Sequence, residues 1–569
     1  MNYSLVLHTE EKNTTLCPIN ESTKDAVFTA DKITITLKVS EKRGVKVFDV
    51  SAEGIGSCYF SLHGEGEGEL YSFNDKCEEE HVFRQSAHDP TKYVFAIDGS
   101  PVPMVAAVTA DTTDIFISDN PSDYNNYTTQ HIIPERHEFY LASGDPGGSP
   151  NFKKDRENQY TPPNTPYYHD LSGDVRTFKF IWVKSEAKTL KTLRRDAFLA
   201  IENVWGEGRK SIYRAMCFGA NYMHIRKNET GTSDKWVVAG IQYANTQYNR
   251  DAFWQTWILS PEIEEQSYRA HTARGVVQAE NPLFFVIWSY RVFSKGGKIN
   301  KELCDIAFNK IIECLNKVGD GRYCPDSDEN HAYRNWFDIC CYEDDDADAY
   351  SQGLCVCALR AAKEMGYDVG EWYEKAKAFY PILYNGEFVQ MSLKKPYHAL
   401  DYSLGDLLHY VLFNEKFLSD EIVNNTYYHI MNSAASTPYG VKIVSAPDGS
   451  YLPMEAFGAY GKVHPEMARM DLGRYANGGS YHIYEMIFHI AAYVHGAKGA
   501  LDNMIHRLMI DLDFDGATHE YMHTLKGNGV KANQGWNACI YAIWDILCKR
   551  GVGDERYFIE AEKKLQTIE

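Results

Sequence analysis

The chain has 569 residues, 44% hydrophobic and 13% aromatic, which is ample for a large buried core spread over two or more domains. Its formal net charge of −20 argues against anionic partners, nucleic acid or an acidic membrane surface, because both would repel it. A neutral polyol such as a sugar meets no such penalty, and 39 Tyr and 10 Trp supply rings on which the C–H faces of sugars lie, although a large core uses the same residues.

The N-terminal segment Met1–His8 has no basic region ahead of a long apolar run. No stretch approaches the roughly eighteen apolar residues of a membrane span. The expectation is a cytoplasmic protein without a signal peptide. Thirteen scattered Cys, with an adjacent pair at Cys340 and Cys341 and no C-x-x-C, read as free thiols rather than a zinc site, so no metal and no cofactor is expected.

Residues 1–185 read as β structure. Ile33–Val39 and Val175–Val183 alternate with period two between breaks of Gly, Asp and Asn, the pattern of an antiparallel β-sandwich. A Pro- and Gly-rich stretch, Ser143–Pro166, forms a long loop in this half. Residues 186–205 read as a linker helix. From 206 to 569 the period becomes helical, with starts near Asp251, Pro282, Lys301, Asp348, Gly370, Tyr402, Ser419, Ser480, Leu501, Asn533 and Asp554, and room for one more helix around 205–225. About twelve helices with alternating short and long connections describe an (α/α)6 toroid lined by its long loops. The expected fold class is therefore α+β multidomain.

Candidate site residues gather at junctions where loops enter helices. In Tyr248-Asn249-Arg250-Asp251-Ala252-Phe253-Trp254, Asp251 stands at a helix start, where the dipole favours a carboxylate. Read plainly this is a cap with a surface ion pair; read functionally it is a polar clamp for sugar hydroxyls between aromatic walls. In Asn335-Trp336-Phe337-Asp338, Asp338 sits among aromatics, where desolvation would keep it protonated as a general acid. The acidic run Glu343-Asp344-Asp345-Asp346 that follows is either a solvated helix entry or a further source of ligands, Asp345 among them. Gly473–Tyr481 offers Asn477 beside Gly478-Gly479, and Thr518-His519-Glu520-Tyr521 precedes Gly535-Trp536-Asn537-Ala538. Asp511–Gly516 begins like a calcium loop, but position twelve is Met522 where a bidentate Glu is needed.

The order R-D at a helix start, W-x-D before an acidic helix entry, Y-x-N-G-G, then E-Y and G-W-N-A resembles the glucosidase domain of glycogen-debranching enzymes. It is similar more broadly to the six-hairpin glycosidases, which include glucoamylase, trehalase and the processing α-glucosidases. The resemblance spans roughly residues 240–550. It implies that Arg250 and Asp251 hold the terminal sugar, that Asp338 is the general acid and that Glu520 is the general base. Tyr248, Trp254, Trp336, Asp345, Asn477 and Trp536 would complete the substrate site, with Trp254, Trp336 and Trp536 as stacking faces.

The implied activity is an exo-acting, inverting glycoside hydrolase acting on an oligosaccharide or glycoside. Glu343, Asp344 or Asp345 stand as alternative acids and Glu466 as the reserve base. An inverting disaccharide phosphorylase is the nearest rival, an epimerase using His398, His464 or His482 a further one, and a non-catalytic carbohydrate-binding protein the alternative of another class. The sequence leaves a homo-oligomer open.

Overall fold

The computed structural model describes residues 1–73, 76–78, 81–84, 104–118, 129–142, 169–171, 176–205, 223–227, 233–237, 249–258, 261–271, 279–325, 334–337, 340–457, 472–516, 518–532 and 535–568. The chain divides into two compact units, Met1–Asn245 with Glu562–Glu569, and Thr246–Ala561. The expected loop at Ser143–Pro166 lies outside the described residues.

In the first unit the strands in chain order are β1 (Asn2–Thr9), β2 (Asn13–Pro18), β3 (Ala26–Ala30), β4 (Ile33–Lys42), β5 (Val45–Gly54), β6 (Ser57–Glu65), β7 (Glu69–Ser72), β8 (His81–Arg84), β9 (Met104–Val108), β10 (Thr113–Ser118), β11 (Thr129–Ile133), β12 (Glu138–Ala142), β13 (His169–Asp170) and β14 (Arg176–Ser185). They form two seven-stranded sheets, one ordered β2-β1-β6-β12-β11-β8 with β13 also on β6, the other β3-β4-β5-β14-β10-β9-β7. Each described ladder is antiparallel; β1 runs against β6 from Asn2↔Glu65 to Thr9↔Cys58, and β10 against β14 from Thr113↔Ser185 to Ser118↔Phe180. The period-two pattern places alternate residues inward. Leu5 and Leu7 of β1, Ile33, Ile35 and Leu37 of β4, and Phe178, Phe180 and Trp182 of β14 share one core. Each such side chain contributes about 1.5–3 kcal/mol by leaving water.

Helix α1 (Leu190–Trp205) follows, burying Leu193, Ala197, Phe198 and Ile201 at three- and four-residue spacing. Phe198 meets Phe73 edge to face at 5.5 Å. Beyond residue 205, where the sequence led us to expect only helices, β15 (Met223–Lys227) pairs with β16 (Ser233–Val237).

The second unit contains α2 (Asn249–Gln255), α3 (Pro261–Ala270), α4 (Asn281–Ser294), α5 (Lys301–Val318), α6 (Ala349–Glu364), α7 (Trp372–Phe379), α8 (Leu404–Phe413), α9 (Asp420–Met431), α10 (His482–Val494), α11 (Ala500–Asp515), α12 (Cys539–Lys549) and α13 (Arg556–Gln566). α13 carries the chain back to the first unit. Alternate helices touch in succession, α2 on α4, α4 on α6, α6 on α8, α8 on α10 and α10 on α12, while the 3-10 turn Gly535–Ala538 ahead of α12 packs on α2. α4 is buried along its length from Leu283 to Ser289, whereas α5 buries only the stripe Cys304, Ala307, Phe308, Ile311 and Leu315. α6 and α8 cross glycine on glycine: a Cβ added to Gly405 would lie 2.1 Å from the Gly353 carbonyl carbon, so no other residue permits the approach.

Short strands sit between the helices. β17 (His398–Ala399) pairs with β20 (Val444–Ser445), β18 (Ser436–Thr437) with β19 (Gly440–Val441), and β21 (Ser480–Tyr481), β22 (His519–Met522) and β23 (Gly529–Ala532) form a three-stranded sheet. Among the described residues no helix is long and apolar enough to cross a membrane, and no group of His, Cys, Asp or Glu is arranged to hold a metal ion.

Candidate active site

Arg250 and Asp251 occupy the first turn of α2, both buried, although a guanidinium and a carboxylate leave water only when paired. Arg250 donates from Nη2 to Asp251 Oδ2 at 3.0 Å and from Nη1 to Glu280 Oε1 at 2.8 Å. Its guanidinium carbon stands 5.5 Å from the centre of the Trp536 ring. Glu280 precedes α4 and is 0% exposed; its other oxygen accepts the Trp336 backbone N–H at 3.0 Å.

Trp336 then reaches a second carboxylate, its indole N–H donating to Asp401 Oδ2 at 2.6 Å. The indole ring stacks on Tyr484 at 4.1 Å and meets Tyr481 edge-on at 5.2 Å, and Tyr484 meets Trp536 at 5.9 Å. The two residues before Trp336 tether its loop. Asn335 donates to Asp348 Oδ1 at 3.1 Å, and Arg334 donates to the Glu343 carbonyl at 2.8 Å and to the Asp346 carbonyl.

Burial raises both carboxyls that Trp336 binds. Glu280 moves from its ordinary 4.5 to about 7 because it is desolvated, with Arg250 drawing it partly back. Asp401 moves from 3.8 to about 7, again through burial, opposed by the indole hydrogen bond and reinforced by the charge of Asp348. Both therefore ionise less readily than a carboxyl in water. Sequence reasoning passed over both. Their one signal is the rule that found the others, a carboxylate placed just ahead of a helix.

Glu520 lies on β22, not at a loop-to-helix junction as expected, and is 6% exposed. Its strand is pinned from several directions. Tyr521 is paired with Tyr481 in the ladder, and Asn537 Nδ2 donates to the His519 carbonyl at 2.9 Å. Beside it runs a buried ionic network: Asp511 forms ion pairs with Arg507 at 2.8 Å, His482 at 2.7 Å and His519 at 3.1 Å, while Arg507 also binds Glu485 at 3.0 Å. Burial works against ionisation of Asp511, but Arg507 and the two imidazoles hold its carboxyl far below the usual range. The calcium-like run Asp511–Gly516 is the end of α11 and its Gly516 cap, so no ligand loop forms there.

Asn477 is buried in the turn between Gly473 and β21; its N–H donates to the Arg474 carbonyl at 3.0 Å and its carbonyl accepts from Gly473 N–H at 2.9 Å. A Cβ on Gly479 would meet the Tyr475 carbonyl oxygen at 2.6 Å, which explains the second glycine of the pair.

Among the sequence candidates, the structure brings Arg250, Asp251, Trp336 and Trp536 into this one cluster. Two others lie elsewhere. Trp254 is 0% exposed and packed among Phe253, Trp257 and Phe284, which makes it a core residue and not a stacking face. Asp345 is 68% exposed and shares Lys394 with Glu343, while Asp346 of the same run is buried and accepts from the Ser392 hydroxyl at 2.7 Å. His398 is buried against Ser445, its pKa lowered by burial to about 3, and His482 belongs to the Asp511 network. Asp338, Tyr248, His464 and Glu466 lie outside the described residues.

No family model matches the chain, and no curated protein matches it. Among solved structures, a GH63 mannosylglycerate hydrolase from Thermus thermophilus in complex with Tris and D-glycerate is 13% identical with a TM-score of 0.25, over 35% of this chain and 46% of that one. The chain thus spans about half the length of that relative. The same enzyme with glucose is 10% identical with a TM-score of 0.37, over 55% and 95%, and a sialidase is 10% identical with a TM-score of 0.34, over 90% and 55%.

Proposed function

We propose that this protein is an exo-acting, inverting glycoside hydrolase that removes a terminal sugar from an oligosaccharide or glycoside. The observation that carries the reading is the convergence, within the helical unit, of a buried Arg250–Asp251–Glu280 clamp, the rings of Trp336, Tyr484 and Trp536, and carboxyls lifted to about 7. Hydroxyl-rich substrates need such paired donors and acceptors, rings take their C–H faces, and glycosidic cleavage needs one protonated and one ionised carboxyl.

The succession of contacts from α2 to α12, with the Gly535–Ala538 turn returning to α2, supports reading the unit as an (α/α)6 toroid. In the proposed mechanism Asp338, two positions after Trp336, protonates the departing oxygen while Glu520 activates water on the opposite face. The two would stand about 6.5–9.5 Å apart to admit that water. The anchoring of β22 supports the base, since a general base must be held in one place.

Asp338→Asn and Glu520→Gln are each expected to lower turnover on aryl glycosides or short oligosaccharides by at least about a hundredfold with unchanged circular dichroism. Near-normal activity in either overturns that assignment. NMR of the first-formed anomer tests inversion, and a requirement for phosphate would make the enzyme a phosphorylase. A second reading has its own support: Asp401, at about 7 and bonded to Trp336, is a competent acid. If Asp401→Asn abolishes turnover and Asp338→Asn does not, the acid is Asp401.

A further inference from the structure

The first unit has an opening of its own. The two sheets enclose an apolar core, yet at one end the inward row of β14 passes from Phe180 and Trp182 to Lys184, and that of β10 from Phe116 to Asp114. Residues directly opposite in an antiparallel ladder share a face, so the pairs Phe116↔Trp182 and Asp114↔Lys184 place a charged pair next to the last aromatic pair. A cleft of about 730 Å3 opens there, lined by Tyr3, Asn20, Glu21, Asp114, Trp182 and Lys184 among others. That is the size range of small-ligand pockets.

Its polar groups are fixed before any ligand arrives. Asp114 accepts from the Tyr3 hydroxyl at 2.7 Å on one oxygen and from the Trp182 indole N–H at 2.9 Å on the other. Both donors are neutral, and each carboxylate oxygen keeps a second lone pair. Burial and the neighbouring Asp114 drive the Tyr3 phenol far above its ordinary value, so it stays a donor. Glu21 takes Lys46 at 3.0 Å on one oxygen and Lys184 at 3.1 Å on the other, and both ammonium groups stand 5.6 Å from the Trp182 ring centre.

At this end Lys46 and Lys184 offset Glu21 and Asp114, and Glu65 and His63 also stand on the lining. Both lysines are already paired, so an anionic ligand would gain little there, while a molecule with many hydroxyls would find acceptors on Asp114, Glu21 and Glu65, donors on Lys184, and both on Asn20. We infer that this cleft is a second binding site, separate from the candidate active site, for an uncharged polyhydroxy compound of mono- or disaccharide size. The inference does not depend on whether the helical unit is a hydrolase.

The test uses the full chain labelled with fluorotryptophan and fluorine NMR. The Trp182 resonance is identified by its loss in Trp182→Phe and its displacement in Lys184→Ala. Glucose and maltose are titrated, with ethanolamine and acetate as charged controls. The expected result is a saturable shift of the Trp182 resonance with sugar, none with the controls, and affinity reduced about tenfold in Asp114→Asn. Should Asp114→Asn fail to fold, Asn20→Ala and Glu21→Gln at the rim are expected to weaken binding in the same direction. A Trp182 resonance that sugars leave unmoved, that the charged controls move instead, or whose titration the folded variants do not alter overturns the inference. Because the readout is local to Trp182, loss of turnover in the helical unit neither mimics nor masks it.

Discussion

Trp336 serves two acids with two different hydrogens, its backbone N–H for Glu280 and its indole N–H for Asp401. Both carboxyls are raised in the folded state, to about 7. Between their ordinary values and 7 the folded chain therefore holds protons that the unfolded chain has released. The stability they contribute is fully present below the ordinary values and is lost as pH rises through 7. Thermal denaturation is expected to show a melting temperature that falls by a few degrees across this window, and Asp401→Asn is expected to flatten the fall. Asp511 has the opposite character, an ionised carboxylate among Arg507, His482 and His519. Its replacement by Asn leaves the guanidinium underpaired in a dry interior, with an expected loss of about 3–5 kcal/mol by urea titration. At this scale the sequence was partly readable. Arg250, Asp251, Trp336 and Trp536 stood out because the order of their motifs resembles that of the six-hairpin glycosidases, whereas Glu280 and Asp401 look like any helix-opening acid until burial is known. Trp254 misled because every residue of α2 is buried, so the helix has no exposed side to mark and its ring ends up among Phe253, Trp257 and Phe284.

Helices α6 and α8 meet without side chains between them, and they frame the site, since α6 begins after Asp348 and α8 shortly after Asp401. Gly405→Ala must push the helices apart, at an expected cost of about 1–3 kcal/mol, and because Asp401 moves with α8, turnover should fall with stability. Ser419→Ala is the contrasting case. It removes the side chain that accepts from Ile422 N–H at the start of α9, costing about 1 kcal/mol with turnover unchanged. Comparing melting temperature with kcat for both variants checks the pair. Most helices were legible through their apolar period, α5 and α10 being clear cases. α3 was not, because Pro-Glu-Ile-Glu-Glu-Gln-Ser-Tyr-Arg-Ala has too few apolar residues to mark a stripe. β22 was not because four residues are too few to display alternation, and its strand character comes from pairing with β21 and β23.

For the whole molecule, the antiparallel sheets of the first unit were visible in the sequence because period two persists across many strands, while the assignment of residues 562–569 to that unit was not. Residues 562–569 group with Met1–Asn245, and the Ile568 carbonyl accepts from Arg195 of α1. Deleting them is expected to lower the hydrogen-exchange protection of α1 and of β5, β10 and β14, on which α1 packs, while leaving α6 and α8 protected, which mass spectrometry of the truncated chain would check. The same connection sets an order on biosynthesis. A ribosome delivers residues 1–245 before the helical unit, and residues 562–569, which group with the former, after it. A nascent chain stalled inside the helical unit still lacks the backbone carbonyl that Arg195 of α1 binds, however long it waits.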